Sequence, residues 1–123
     1  MQKLIAIGLG GCFGALARHG LNELIHRRFP HFPWATLTAN LVGCLLIGIV
    51  MALVIDSRYN SEIGFSLISI GFLGSLTTFS TFSFQTLELM QEDRLAAAGA
   101  NILSNVAIGL AAVWLGMKLA RMA

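Results

Sequence analysis

Between Gly71 and Ser83 the chain reads Gly-Phe-Leu-Gly-Ser-Leu-Thr-Thr-Phe-Ser-Thr-Phe-Ser, a stretch thick with hydroxyls and rings inside an apolar segment. Phe79 and Phe82 stand three residues apart, so a helix places them on one face among Ser80, Thr81 and Ser83. Such pairs commonly serve packing, but the hydroxyl surroundings open a second reading. An aromatic ring has a positive edge. A small hard anion stripped of its water could rest against two such edges if hydroxyl and amide donors completed its shell. That would be the anion counterpart of a carbonyl-lined cation filter.

Amides supply the remaining donors. Asn40 follows Thr36 by four residues, on a face that continues through Gly43 and Cys44 to Gly48. An amide in an apolar helix is costly without a partner, so Asn40 either bonds a neighbouring helix or offers its NH₂ to an anion. Asn101, Ser104 and Asn105 form a polar stripe at i, i+3 and i+4, read as interhelix bonding or as a wet face. Arg18 is the one charge well inside the first apolar segment, with Asn22 a turn further on. It can snorkel to an interface, or line a water-filled vestibule and concentrate anions there. Glu23 and Glu88 lie near segment ends, and Asp56 and Glu62 fall in a loop. With no carboxylate deep in a span, anion traffic is favoured over cation traffic.

Catalysis has little footing. The sequence offers no Ser/His/Asp set, no paired carboxylates and no phosphate-cradling loop. His19, His26 and His31 fall at a helix end and in one loop, and read as interfacial. Cys12 and Cys44 lie in apolar segments with no Cys or His at ligand spacing, so they read as small core residues rather than a disulfide or metal site.

The elements that must position these groups are membrane helices. Hydrophobic residues make up 56% of 123 positions and charged residues only 11%, where a soluble domain carries roughly a quarter. Spanning the ~30 Å hydrocarbon core takes about 20 apolar residues. Four windows qualify, at about Lys3–Ile25, Ala35–Ile55, Ile63–Met90 and Leu95–Ala120. The first window runs too long for a signal-peptide core and carries Arg18, so it is expected to remain as a span. The whole chain reads as a single four-helix transmembrane domain. Its third window is long for one straight crossing, and a non-helical stretch near residues 74–78 would explain both that length and its polarity. Unwound backbone at such depth survives only where protein or an ion satisfies it. The glycines Gly10 and Gly14, widened by Gly8, Gly11 and Ala15, make a face for close helix packing.

Charge gives the chain no preferred orientation. The formal net charge is +2. Lys3, Arg58, Lys118 and Arg121 fall on one side of a four-span fold, against Arg27, Arg28 and Arg94 on the other. Such near-balance allows insertion both ways, and so an antiparallel pairing of two copies. The scattered bases form no stripe suited to nucleic acid.

The string at 71–83, together with Gly10-Gly-Cys-Phe-Gly-Ala-Leu-Ala-Arg18 and Thr36-Leu-Thr-Ala-Asn-Leu-Val-Gly43, closely resembles the Fluc (CrcB) fluoride channels. Order, spacing and length agree over essentially the whole chain. The resemblance implies a dual-topology homodimer of the bacterial-type plasma (inner) membrane, with two antiparallel pores that let fluoride leave the cytoplasm and reject chloride. It places Phe79 and Phe82 along the fluoride path, Asn40, Ser80, Thr81 and Ser83 as nearby donors, and Arg18 in the vestibule. It further implies a structural sodium ion at the dimer centre, held by the backbone carbonyls of Gly74 and Thr77. Two positions depart from the family pattern. Gln85 stands where many relatives have glutamate, and Ser75 replaces the second glycine of a pair, where it would resist a positive φ. The competing readings are a dual-topology drug/proton antiporter, which needs a carboxylate at membrane depth, and a non-transporting assembly subunit.

Overall fold

The computed structural model describes residues 1–122, all of it helices and short connections. Helix α1 spans Gln2–His26 and α2 spans Trp34–Ile55. The third crossing, Glu62–Gln91, is divided into α3 (62–76) and α4 (Phe79–Gln91), and α5 covers Leu95–Met122. All four crossings are long and apolar enough to traverse a bilayer. Their outward faces are apolar, with Leu9, Phe13, Leu103, Leu110 and Trp114 more than half exposed, as a lipid-facing surface requires.

The break is narrower than the sequence suggested. Gly74 has helical torsions (φ −62°, ψ −30°), and the segment Gly74–Leu76 is still a turn of α-helix. Only Thr77 and Thr78 are extended, with ψ of 153° and 116°. Strain at Ser75 does not arise, because the positive-φ residues among those described are Ser57 and Asp93. Both end helices, α2 and α4, in the six-to-one hydrogen-bond arrangement that glycine usually serves: Arg58 N–H reaches Leu53 and Arg94 N–H reaches Leu89.

Before the break, α3 is locally underwound and widened. Its residues Ser66–Leu73 hydrogen-bond at the wide five-residue pitch of a π-helix, as do Ser104–Ile108 in α5. Such segments are rare, and they are found frequently at functional sites.

Packing rests on glycine, since small residues let backbones touch in a solvent that offers no hydrophobic drive. A Cβ at Gly10 or Gly14 would fall on the carbonyls of Leu67 and Phe72, so α1 lies directly on α3. Gly48 and Gly116 do the same for α2 against α5, where the obstacles are the carbonyls of Val113 and Leu45. The buried centre, Ala39, Leu73 and Leu76, lies next to the break.

The two ends carry the charge. Lys3 pairs with Glu62 (2.6 Å), Arg121 with Asp56 (3.4 Å), and Arg58 donates to the Ala120 carbonyl (2.9 Å). At the opposite end Arg27 meets Glu23, and Arg94 meets Glu92 and the His31 carbonyl. These exposed pairs contribute little stability. They do group the loops as an even number of crossings requires.

Candidate functional site

The break is held from two sides. From its own helix, Thr78 acts as the N-cap of α4: its Oγ1 accepts from Thr81 N–H (3.3 Å) and donates to Thr81 Oγ1 (3.1 Å). Ser80 Oγ stands 3.3 Å from the same hydroxyl. From α2, Asn40 grips the backbone like an edge strand. Its Oδ1 accepts from Thr78 N–H at 2.9 Å, and its Nδ2 lies 3.4 Å from the Thr78 carbonyl. An amide is the right side chain for this task, because one group supplies a donor and an acceptor side by side.

These diversions leave two carbonyls without their helical donors. In an unbroken helix Thr78 N–H would serve Gly74 and Thr81 N–H would serve Thr77. Here the first goes to Asn40 and the second to the Thr78 hydroxyl. The Thr77 carbonyl receives only a long contact from Arg18 Nη1 at 3.5 Å. Neutral oxygens released in this way suit a hard cation such as Na⁺. The residues present therefore fit the implied ion, whose chemical contribution would be a fixed positive charge.

An open cavity of about 420 Å³ lies against the break. It brings together Asn40, Gly74, Thr77, Phe79, Phe82 and Asn105. The two phenylalanine rings sit 5.5 Å apart, tilted at 52° to one another. Phe82 is buried at 9% exposure, whereas Phe79 is 79% exposed and forms the outer lip. Ser80, Thr81, Ser83 and Arg18 do not line this cavity. Ser83 bonds back to the Phe79 carbonyl (2.9 Å), Ser80 and Thr81 are engaged with Thr78, and Arg18 reaches the break from the other side. The cavity wall thus combines two amides and two aromatic rings and carries no carboxylate.

Residues 5–117 match the family described as CrcB-like protein, Camphor Resistance (CrcB). The chain belongs to the CrcB family. A relative from Geobacter sp. (strain M21), named "Fluoride-specific ion channel FluC", is 42% identical over 98% of both chains. Relatives of the same name from Hydrogenovibrio crunogenus and Salinibacter ruber are 42% and 44% identical. These alignments cover 94% of this chain and 88% and 87% of the relatives.

Two further features of the CrcB chain stand out. The stripe on α5 is resolved into bonds: Asn105 donates to Asn101 and accepts from Asn40 (2.8 Å), while Ser104 makes no part of it. Thr86, on which Asn101 lands at 2.9 Å, was not singled out in the sequence. Its one signal there is a hydroxyl four residues after Phe82, just past the hydroxyl-rich stretch. Gln85 instead turns to the far end of α4, beside a smaller polar pocket of about 150 Å³ shared with His26, His31, Glu88 and Arg94. Its Oε1 is buried with no partner among the described residues, and so is Thr36 Oγ1.

Proposed function

We propose that the chain forms a passive fluoride-selective channel that lets fluoride leave the cytoplasm across a bacterial-type inner membrane. The observation that carries this is the Asn40-held break opening onto the Phe79–Phe82 pair, in a family whose relatives are named fluoride-specific channels. Fluoride holds its water tightly, so the wall must replace that water with close donors. Asn40 Nδ2 and the positive ring edges offer them, and Arg18 supplies positive charge behind the break.

The working unit is an antiparallel homodimer. Phe79 is too exposed in the single chain for a closed path, and the cavity is open on one side. An inverted second copy, with lipid around both, would close it. A sodium ion between the copies, on the carbonyls of Gly74 and Thr77, would then join the two breaks.

An antiporter reading lacks its essential group, since all six acidic residues lie at helix ends or in loops. An assembly subunit would have no use for a bonded break beside a ring-lined cavity. The test is efflux from liposomes holding purified protein. Fluoride should leave and chloride should stay; equal permeation of both halides would reduce the protein to a generic anion pore.

A further inference from the structure

A continuous series of side-chain bonds leaves the break and ends one helical turn beyond Phe82. Asn40 Nδ2 donates to Asn105 Oδ1 at 2.8 Å. Asn105 Nδ2 donates to Asn101 Oδ1 at 3.1 Å and to the Asn101 carbonyl at 3.0 Å. Asn101 Nδ2 donates to Thr86 Oγ1 at 2.9 Å, and Thr86 gives its own hydrogen to the Phe82 carbonyl at 2.7 Å. Asn101 is 1% exposed and Thr86 is 6% exposed, so water does not substitute for these two partners cheaply.

The series has a direction. An amide can be turned end for end with little change of shape, and its orientation is decided by its neighbours. At the break the neighbour is Thr78 N–H, which can only donate, so Asn40 must show it Oδ1. Turning Asn40 over would set NH₂ against N–H there and its oxygen against Asn105 Oδ1, and Asn105 could not turn to meet it without setting its own oxygen against the Asn101 carbonyl. Thr86 closes the other end: with its hydrogen committed to Phe82, its oxygen is left as an acceptor for Asn101. Both ends therefore demand the same orientation of all three amides.

We infer that Asn101, Asn105 and Thr86 are positioning residues that hold the Asn40 amide with its oxygen on Thr78 N–H and its nitrogen at the cavity wall. There Asn105 takes one hydrogen, and the other, in a long 3.4 Å contact with the Thr78 carbonyl, is the one an anion would take. This rests on the fluoride reading above. For an anion the difference is large, because the turned amide would present a carbonyl oxygen where the ion needs a donor. The buried stripe on α5 thereby acts on selectivity without itself meeting the ion.

Thr86→Val keeps the shape and removes the hydroxyl; Thr86→Ser keeps the hydroxyl and removes a methyl. Both are measured for fluoride and chloride efflux in liposomes, beside wild type, after size-exclusion checks of the detergent-purified protein. Loss of a net hydrogen bond of about 1 kcal/mol corresponds to about fivefold, so Thr86→Val should cut the fluoride-to-chloride ratio by about that much or more. Thr86→Ser should stay within about twofold of wild type. The ratio discriminates because a purely structural role lowers the amount of active protein, which cancels between halides. In an Asn40→Ala background the Thr86→Val change should leave the ratio where Asn40→Ala alone puts it, as coupled positions do. If Thr86→Val does not purify, Asn101→Ser carries the same expectation. A wild-type ratio in the variant that purifies, or full additivity with Asn40→Ala, overturns the positioning role while the fluoride reading stands. Wild-type liposomes that release no fluoride overturn both.

Discussion

Asn40 and Phe82 meet at the same wall of the cavity but do different things there. Asn40 spends its oxygen on Thr78 N–H and gives its nitrogen to Asn105 Oδ1, with a longer 3.4 Å contact to the Thr78 carbonyl, on the wall of the cavity. Asn40→Asp preserves the acceptor for Thr78 N–H and replaces the donor by an oxygen, which then faces Asn105 Oδ1. Fluoride efflux should fall by about tenfold or more, as loss of a hydrogen bond to a charged group, worth about 1.5–3 kcal/mol, implies. Normal efflux from a well-folded Asn40→Asp protein would place the lane elsewhere. Phe82→Ile keeps apolar bulk and removes the ring edge. Were Phe82 a packing residue only, the change would cost about 1–2 kcal/mol of stability and leave transport intact. A ring that faces the ion instead predicts that transport collapses while the protein elutes normally.

The helices matter because they bring these groups within bonding distance, and glycine sets that distance. Gly14 lies so close to α3 that a Cβ would occupy the Phe72 carbonyl, whereas at Gly20 nothing stands within 4 Å. Gly14→Val should therefore push α1 off α3 and abolish recovery of folded protein from detergent. Gly20→Ala should be tolerated or gain about 0.5–1 kcal/mol from lost backbone freedom, read as a higher unfolding temperature. These crossings could be drawn from the sequence because lipid tolerates few interruptions, so Pro30, Pro33 and the charged clusters mark their ends unambiguously. The polar run at 71–83 announced a break, but its width could not be read, since Gly74 is compatible with helix or with a turn. The π-helical bonding of Ser66–Leu73 is also invisible locally, in a segment that packs at Gly71 against the Gly10–Gly11 backbone of another helix. Thr86 escaped notice for a similar reason. One more hydroxyl after Ser80, Thr81 and Ser83 says nothing until Asn101, fifteen residues on, is seen to land on it.

At the scale of the whole molecule the open question is what closes the lane. Phe79 is mostly exposed, the cavity is open along one side, and the charges divide four to three between the two ends. The ion pairs described above join Lys3, Arg58 and Arg121 to one end, and Arg27 and Arg94 to the other. With so small a bias, insertion should proceed in both orientations, and each copy then meets an inverted one. Reporters fused to the C-terminus should accordingly be found on both sides of the membrane in comparable amounts. Adding three lysines to the Asp56–Glu62 loop would tip the balance toward the face that carries the termini, forcing one orientation. Such a protein should transport no fluoride alone if the proposed antiparallel pair is the working unit, because every copy would then face the same way. Co-expression with a chain given its lysines in the His26–Trp34 loop should restore transport. A wild-type C-terminus found wholly on one side would refute the antiparallel pair, as would undiminished transport by either lysine variant expressed by itself.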